Sequence, residues 1–385
     1  MLSLFSYIDW ILFTILTLGV AYLLIFAIAS LFYHEKQYPD TEIRHRFLVL
    51  FPAYAEDAVI VNSIKTFLQQ DYPQEYYQVV AISDHQKEET IRQLQALPIT
   101  TLIATYDNST KAKALKLAIE ANKGDFDTVV ILDADNLVPT FFLSEINKIR
   151  TSGAKAIQVH RRGITNDSPI SLLDDVSEEI NNSIFRKGHQ VLGLSSALTG
   201  SGMAFDYIWF KSNISKTNSA GEDKELEIML LKQKIHILYS EKIYVFDKKT
   251  DNQEAIGKQR KRWMASQYSL IITCIPDFSK ALLSINISYA DKIIQWMLPP
   301  RLIQLALIFG ITLSMLIFSN FSHSDKWLYL SLAQILAMLI PIPSHCWNKK
   351  LMLSLIQTPI LTLKVIKDLF HLRGANKLFI HTKHE

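Results

Sequence analysis

The chain has 385 residues, enough for one large domain or two ordinary ones with ample core. Its 40 basic and 37 acidic residues leave a formal net charge of +3, which argues against a nucleic-acid binder with a global basic face. Two cysteines, Cys274 and Cys346, are too few and too widely spaced for a disulfide framework or a structural zinc site. Apolar residues make up 49% of the chain, and the excess collects at its two ends.

The first element is the apolar run Ile8 to Phe32, long enough to cross a hydrocarbon core of about 30 Å. No basic residue precedes it and no small-residue cleavage site follows, so a signal anchor is expected rather than a cleaved leader. His34, Lys36, Arg44 and Arg46 come next, which by the positive-inside rule puts the middle of the chain in the cytoplasm. Near the other end, Leu302–Phe318 and Trp327–Ile342 read as two further spans that return the chain to Lys349 and Lys350. The run 351–366 is ambiguous between an interfacial helix and an inserted one.

Between these ends, short apolar runs alternate with amphipathic stretches. RFLVLFPAY, YYQVVAIS, ITTLIATY and FDTVVILDAD read as strands, separated by DAVIVNSIKTFLQQ, KEETIRQLQAL and KAKALKLAIEAN as helices. That alternation predicts an α/β domain with a mostly parallel sheet covered on both faces. Ligands of such sheets bind past the carboxyl ends of the strands. Polar residues stand at those ends: Tyr54, Glu56 and Asp57 after the first strand, Asp84 after the second, Asp133 and Asp135 after the fourth.

Carboxylates gathered on one sheet edge repel one another unless a cation or a hydrogen-bonded ligand compensates. An Asp-x-Asp at a strand end suits Mg²⁺ or Mn²⁺, hard cations that share oxygen ligands with phosphates. Further on, LTGSGMAF places Gly200, Ser201 and Gly202 before an apolar run, as suits a backbone that a ligand approaches closely or a plain tight turn. GEDKELEIMLLKQ opens a helix with Glu222 and Asp223, positioned either to complement the helix dipole or to act as a general base. GKQRKRWMASQY then clusters Lys258, Arg260, Lys261 and Arg262, which by themselves fit a lipid-facing patch as well as a phosphate site.

In order, PAYAED, Asp84, KAKAL, DAD, TGSG, GED and QRKRW resemble glycosyltransferase family 2 over roughly residues 46–270. The likeness is to its membrane-associated inverting branch, which includes cellulose, hyaluronan and chitin synthases. It implies a GT-A fold, a Rossmann-like mixed sheet that binds a nucleotide sugar, most often UDP-linked. Pro52, Ala53, Tyr54, Glu56, Asp84 and Lys111 would then line the nucleotide site with Asp133, Ala134, Asp135, Gly200, Ser201 and Gly202. The metal would lie at Asp135, with Asp133 beside it. Asp223, next to Glu222, would deprotonate the acceptor hydroxyl, and Gln259, Arg262 and Trp263 would match the QxxRW motif. The chain departs from the family's usual pattern at Ala55, at Ser83-Asp84-His85, at Lys116 and at Gly221.

The expected organisation is a membrane helix over 1–33, the catalytic domain over 46–270, an amphipathic interface segment over 271–300, two membrane helices over 301–345 and a tail over 346–385. The expected location is the cytoplasmic (inner) membrane, multi-pass, with the catalytic domain facing the cytoplasm. The expected partners are a nucleotide sugar and a lipid or glycan acceptor, with no nucleic acid. An oligomer or export partner, processive polymer synthesis, and a catalytically silent scaffold stay open as alternatives.

Overall fold

The computed structural model describes residues 2–164, 168–217, 219, 221–249, 253–318 and 325–356; the side chains of 2, 3, 5, 253–256 and 258–263 lie outside that description. Seven strands form one sheet: β1 (Phe47–Tyr54), β2 (Tyr77–Asp84), β3 (Thr100–Ala104), β4 (Thr128–Ile131), β5 (Ala156–Ile164), β6 (Met203–Asp206) and β7 (Ile237–Lys248). Their order across the sheet is β3-β2-β1-β4-β6-β5-β7. β1 runs parallel to β2 and β4, and β2 to β3. β6 alone is reversed, antiparallel to both β4 and β5, while β5 and β7 are again parallel.

The first four strands fall where the hydrophobic runs place them; β1, β2 and β4 are buried on both faces, while β3 is the half-exposed edge strand. Phe47, Val49 and Phe51 pack on one side with Ile60, Ile64 and Phe67 of the helix Ile60–Phe67. Leu48 and Leu50 face the other way, onto Leu115, Ala118 and Ile119 of the helix Lys111–Ala121. That helix starts on a Thr110 cap whose hydroxyl accepts the Lys113 amide. Parallel pairing with crossovers on opposite faces brings the ends of β1, β2 and β4 to one edge.

The amino-terminal helix Leu2–Ser30 does not stand apart from this domain. Leu23, Phe26 and Ala27 pack against Val176, Ile180 and Ile184. The Phe26 ring stacks on His189 at 3.9 Å. A side chain at Gly188 would collide with the Phe26 carbonyl, so the glycine permits the close approach. Tyr22 donates to Asp291 at 2.9 Å, and His189 lies 3.0 Å from the other oxygen of the same carboxylate. The helix is thereby tied to Ile287–Met297 as well as to the domain that holds the sheet.

Of the expected spans, only the first has the necessary length by itself among the described residues: Ser6–Ser30 is long and apolar enough to cross a membrane. Arg301–Ile317 qualifies only with Ile287–Met297, from which it bends by 54°. The bend falls at Leu298-Pro299-Pro300, where proline removes backbone donors and breaks the helix. Asp325–Leu339 has 15 residues, about 22 Å of helix and short of a span. The helix Lys349–Leu355 opens the stretch read as ambiguous. Residues 357–366 of that stretch, and the tail beyond, lie outside the described residues.

Candidate active site

The ends of β1 and β2 are tied together by their backbone. The Ala55 amide donates to the Asp84 carbonyl at 2.9 Å. Ala55 and His85 both adopt left-handed conformations, with φ of 52° and 56°. For non-glycine residues this costs roughly 1 kcal/mol each, and such strain collects at functional sites. The His85 ring lies 5.1 Å from that of Tyr54, and its Nδ1 is 2.5 Å from the buried Asp84 carboxylate. The departure at Ala55 and His85 therefore builds a specific pair of turns. Asp57 joins them by accepting the Lys87 amide at 2.8 Å.

At the end of β4, the Asp133 amide donates to both Asn136 Oδ1 and Ser201 Oγ at 3.0 Å. Ser201 also bonds Asn136, and the Asn136 amide reaches Asp135 at 3.1 Å. Gln158, fully buried on β5, holds the other loop by accepting the Thr199 amide at 3.0 Å and donating to the Ser201 carbonyl at 2.9 Å. The Asp-Ala-Asp turn and the TGSG loop are thus one hydrogen-bonded unit. Gly202 is required by it: its φ is +62°, and a Cβ there would meet Val159 and Val245 at 2.6 and 2.7 Å.

Lys111 connects this unit to the rest. Its ammonium pairs with Asp133 and donates to the Gly200 carbonyl at 2.7 Å. Burial works against its charge, but Asp133, Glu222 and Asp223 outweigh that and raise its pKa above the usual lysine range. Asp223 lies at the start of the helix Glu222–Lys232, with Lys224 at 3.9 Å. A Cβ on Gly200 would come within 3.8 Å of the Asp223 carboxylate. The four sequence motifs KAKAL, DAD, TGSG and GED therefore meet at one place.

Gly221 gives another departure a structural reason. Any side chain there would strike Ser266 of the helix Gln253–Cys274, so glycine lets the GED turn seat against that helix. Ser266 and Gln267 line the same cavity as Asp223. Helical register places positions 259, 262 and 263 one to two turns earlier on the same helix. The side chains of Gln259, Arg262 and Trp263 lie outside the described residues, so the QxxRW assignment stands on that backbone placement.

All of this borders a cavity of about 650 Å³ that Pro52, Ala53, Tyr54, Ala134 and Thr199 also line. Burial first, then the charges of Asp135, Asp133 and Asp57, push the Glu56 carboxyl up to about 8. Glu56, Asp133 and Asp135 thus share one carboxylate-rich edge of the cavity. Such an edge fits a divalent cation, with oxygen donors of the kind Mg²⁺ and Mn²⁺ prefer. Asp133 is paired with Lys111, and Asp135 accepts the Asn136 side-chain amide at 3.1 Å. Among the described residues no group of three or more His, Cys, Asp or Glu side chains forms a self-sufficient metal cage. A cation here would depend on ligand phosphates for much of its coordination.

Several residues of the site carry no sequence signal of their own. Gln158 and Asn136 act through backbone turns brought together by the sheet. Arg161, Asp247 and Lys249 extend the cavity from the ends of β5 and β7, and those strands pair only in the folded chain. The parallel pairing of β5 with β7 shifts register between Val159 and His160, next to Arg161.

Residues 45–266 match the profile of "Glycosyltransferase like family 2". Among solved structures, a mannosyltransferase, PcManGT from Pyrobaculum calidifontis in complex with GDP-Man and Mn²⁺, is similar with a TM-score of 0.57 at 15% identity, covering 94% of this chain and 98% of that one. S. aureus TarS 1–349 in complex with UDP-GlcNAc is a more distant neighbour, with a TM-score of 0.45 at 14% identity, covering 86% of this chain and 90% of that one. No curated protein matches the chain. The family profile spans more than half of the sequence and covers every motif gathered at the cavity; the chain belongs to glycosyltransferase family 2 and is a glycosyltransferase.

Proposed function

We propose that this enzyme is a membrane-bound member of the inverting branch, moving a sugar from a nucleotide sugar, UDP-linked in the first instance, to a hydroxyl of a lipid-linked or glycan acceptor. The observation that carries this reading is the convergence of Asp133, Asp135, Lys111 and Asp223 on one cavity at the carboxyl edge of the sheet. In the reaction, the acceptor oxygen gives its proton to the Asp223 carboxylate and attacks the anomeric carbon. The bond from that carbon to the diphosphate breaks on the opposite face, and its electron pair leaves with the nucleotide. Attack and departure on opposite faces invert the anomeric centre.

The chain's own groups suit these tasks. Asp223 stands in the first turn of a helix, where the helix dipole favours a carboxylate. Lys111 fixes Asp133 and the Gly200 carbonyl and brings positive charge beside the diphosphate position. A divalent cation bound at Asp135 would neutralise charge on the departing diphosphate. By the family resemblance, Arg262 adds a permanent planar cation to the same task, and Gln259 and Trp263 face the acceptor.

Membrane attachment is supported by apolar exposure. Trp10, Ile11, Ile15, Leu18 and Ile25 of the first helix are exposed, as are Leu313 and Ile317 on Arg301–Phe318 and Leu332 and Leu336 on Asp325–Leu339. A patch that extensive on packed neighbouring helices fits lipid rather than water. The reading places the catalytic domain on the cytoplasmic side of a bacterial-type inner membrane.

The test is a screen of nucleotide sugars for release of nucleoside diphosphate by membranes that contain the protein, with and without chelator. Turnover that requires Mg²⁺ or Mn²⁺ and yields a glycosylated, solvent-extractable product supports the reading. Full activity in chelator removes the metal from it, and absence of binding to any nucleotide sugar overturns it.

A further inference from the structure

The helix Ile287–Met297, already tied to the first helix, also grips the helix that carries Asp223. Glu227 stands one turn after Asp223 on the same face of Glu222–Lys232. It is fully buried, and Lys292 of Ile287–Met297, equally buried, places its ammonium 2.6 Å from a Glu227 oxygen. The same ammonium donates to Gln295 at 2.6 Å, and Gln295 lines the cavity. Lys224 reaches both carboxylates of that face, at 4.0 Å from Glu227 and 3.9 Å from Asp223. Toward the far end of Glu222–Lys232, Asn286 donates to the Leu231 carbonyl at 2.7 Å. Lys232 pairs there with Asp277, which also accepts the Tyr289 hydroxyl at 2.9 Å.

A buried ion pair is a poor device for stability alone. Taking both charges out of water offsets much of what their attraction supplies, and packed apolar side chains often hold such a contact equally well. What the pair supplies is register, because a carboxylate and an ammonium must meet in one geometry. Here the element so registered carries Asp223 one turn away, at the cavity. The supporting helix is itself fixed: Asp291, the residue before Lys292, accepts the Tyr22 hydroxyl at 2.9 Å and lies 3.0 Å from His189. Two adjacent residues of one helix thus reach the first helix and the helix that begins beside Asp223.

We propose that Lys292 and Glu227 are positioning residues for glycosyl transfer: their buried pair sets the turn that presents Asp223 to the acceptor hydroxyl. The inference rests on the glycosyl-transfer reading above, with Asp223 as the base, and adds two residues that act through it. Neither touches the reacting atoms. The Lys292 ammonium is taken up by Glu227 and Gln295, and its task is to hold the helix in register.

The experiment compares the full chain, in membranes and purified in detergent, with Lys292→Met, Lys292→Arg and the double variant Lys292→Met/Glu227→Met. Turnover is read as nucleoside diphosphate released from UDP-GlcNAc or GDP-mannose. Calorimetry with UDP or GDP and Mn²⁺ reads nucleotide affinity, and melting temperature reads the fold. Lys292→Met leaves Glu227 buried without its closest cation and should lower the melting temperature as well as turnover, so the double variant carries the test. It should melt close to wild type and bind nucleotide within about twofold. Its kcat should fall about tenfold or more, since a misplaced catalytic group is costly even at about 1 Å. Lys292→Arg, which keeps the pair, should recover part of the loss.

A double variant with wild-type kcat overturns the proposal and leaves the pair a packing contact. Equal losses of nucleotide affinity and turnover overturn it too, because the defect would then lie in the donor site. If Asp223→Asn lowers turnover and the double variant does not, the positioning role fails and the transferase reading stands. A wild-type protein that neither binds nucleotide nor turns over either donor overturns that reading, and the positioning role with it.

Discussion

The two ends of the cavity are built in different ways. The acidic end is assembled from short contiguous motifs, each at the end of a strand or the start of a helix: Glu56 after β1, Asp133 and Asp135 after β4, Glu222 and Asp223 at one helix start. The other, ion-paired end draws single residues from distant elements: Leu23 from the first helix, Arg161 from β5, Lys249 after β7, Arg301 just past the bend. The ends also differ in what holds them: backbone hydrogen bonds and positive-φ turns in the first, ion pairs in the second.

The largest test of the contrast is Asp223→Asn. With Asp223 as the proposed base, the substitution should lower turnover by about a hundred- to ten-thousandfold, while calorimetry shows nucleotide binding retained. Wild-type-like turnover would move the base elsewhere in the acidic end. Next is Lys111→Met, which leaves Asp133, Glu222 and Asp223 without their shared cation. It should cost roughly ten- to a hundredfold in kcat/KM, and Lys111→Arg should recover part of the loss. An unaffected Lys111→Met enzyme would show that the lysine is only a structural tie.

Gly202→Ala probes how rigidly the acidic end is fixed. With φ at +62° and both valines in the way, it should destabilise the fold by about 1–3 kcal/mol, seen as a lower Tm. A melting curve identical to wild type would mean the TGSG loop has room to shift.

An effect of similar size, visible only as a pH dependence, concerns the ion-paired end of the cavity. Asp175 accepts the Gly163 amide at 2.7 Å, yet burial above all, with Glu179 and Asp247, pushes its carboxyl up to about 6 from the usual 3.8. The folded state thus holds its proton more tightly than the unfolded chain. Its contribution to stability is full below pH 3.8 and is lost as pH rises through about 6. Asp175→Asn does not titrate, so its stability relative to wild type should rise by about 1–3 kcal/mol between pH 4 and pH 7. Denaturant melts at the two pH values measure this, and a pH-independent difference would remove Asp175 from the charge balance.

Particular residues show how far the sequence could be read. VVIL before DAD, and FLVLFP before AYAED, announce buried parallel strands because both faces are covered and every position is apolar. Their acidic ends then follow from strand direction alone. β5 and β7 give no such signal: HRRGI and YSEKIYVF mix charge with apolar residues because one end of each lines a cavity. The reversed β6 is likewise a product of pairing, as its four residues MAFD could have joined either way. The helix Asp325–Leu339, apolar enough in sequence to suggest a span, is shorter than one.

The sequence by itself determined which acidic residues gather at one edge of the cavity, because they sit in contiguous motifs whose position relative to strand ends is set by local hydrophobic patterning. Only the tertiary structure decided that Lys111 joins Asp133 to Gly200, that Gln158 locks the TGSG loop, and that Arg161 and Lys249 share Asp247. Those contacts link residues far apart in the chain. They depend on the order and direction in which strands pair, a long-range packing outcome that no local pattern encodes.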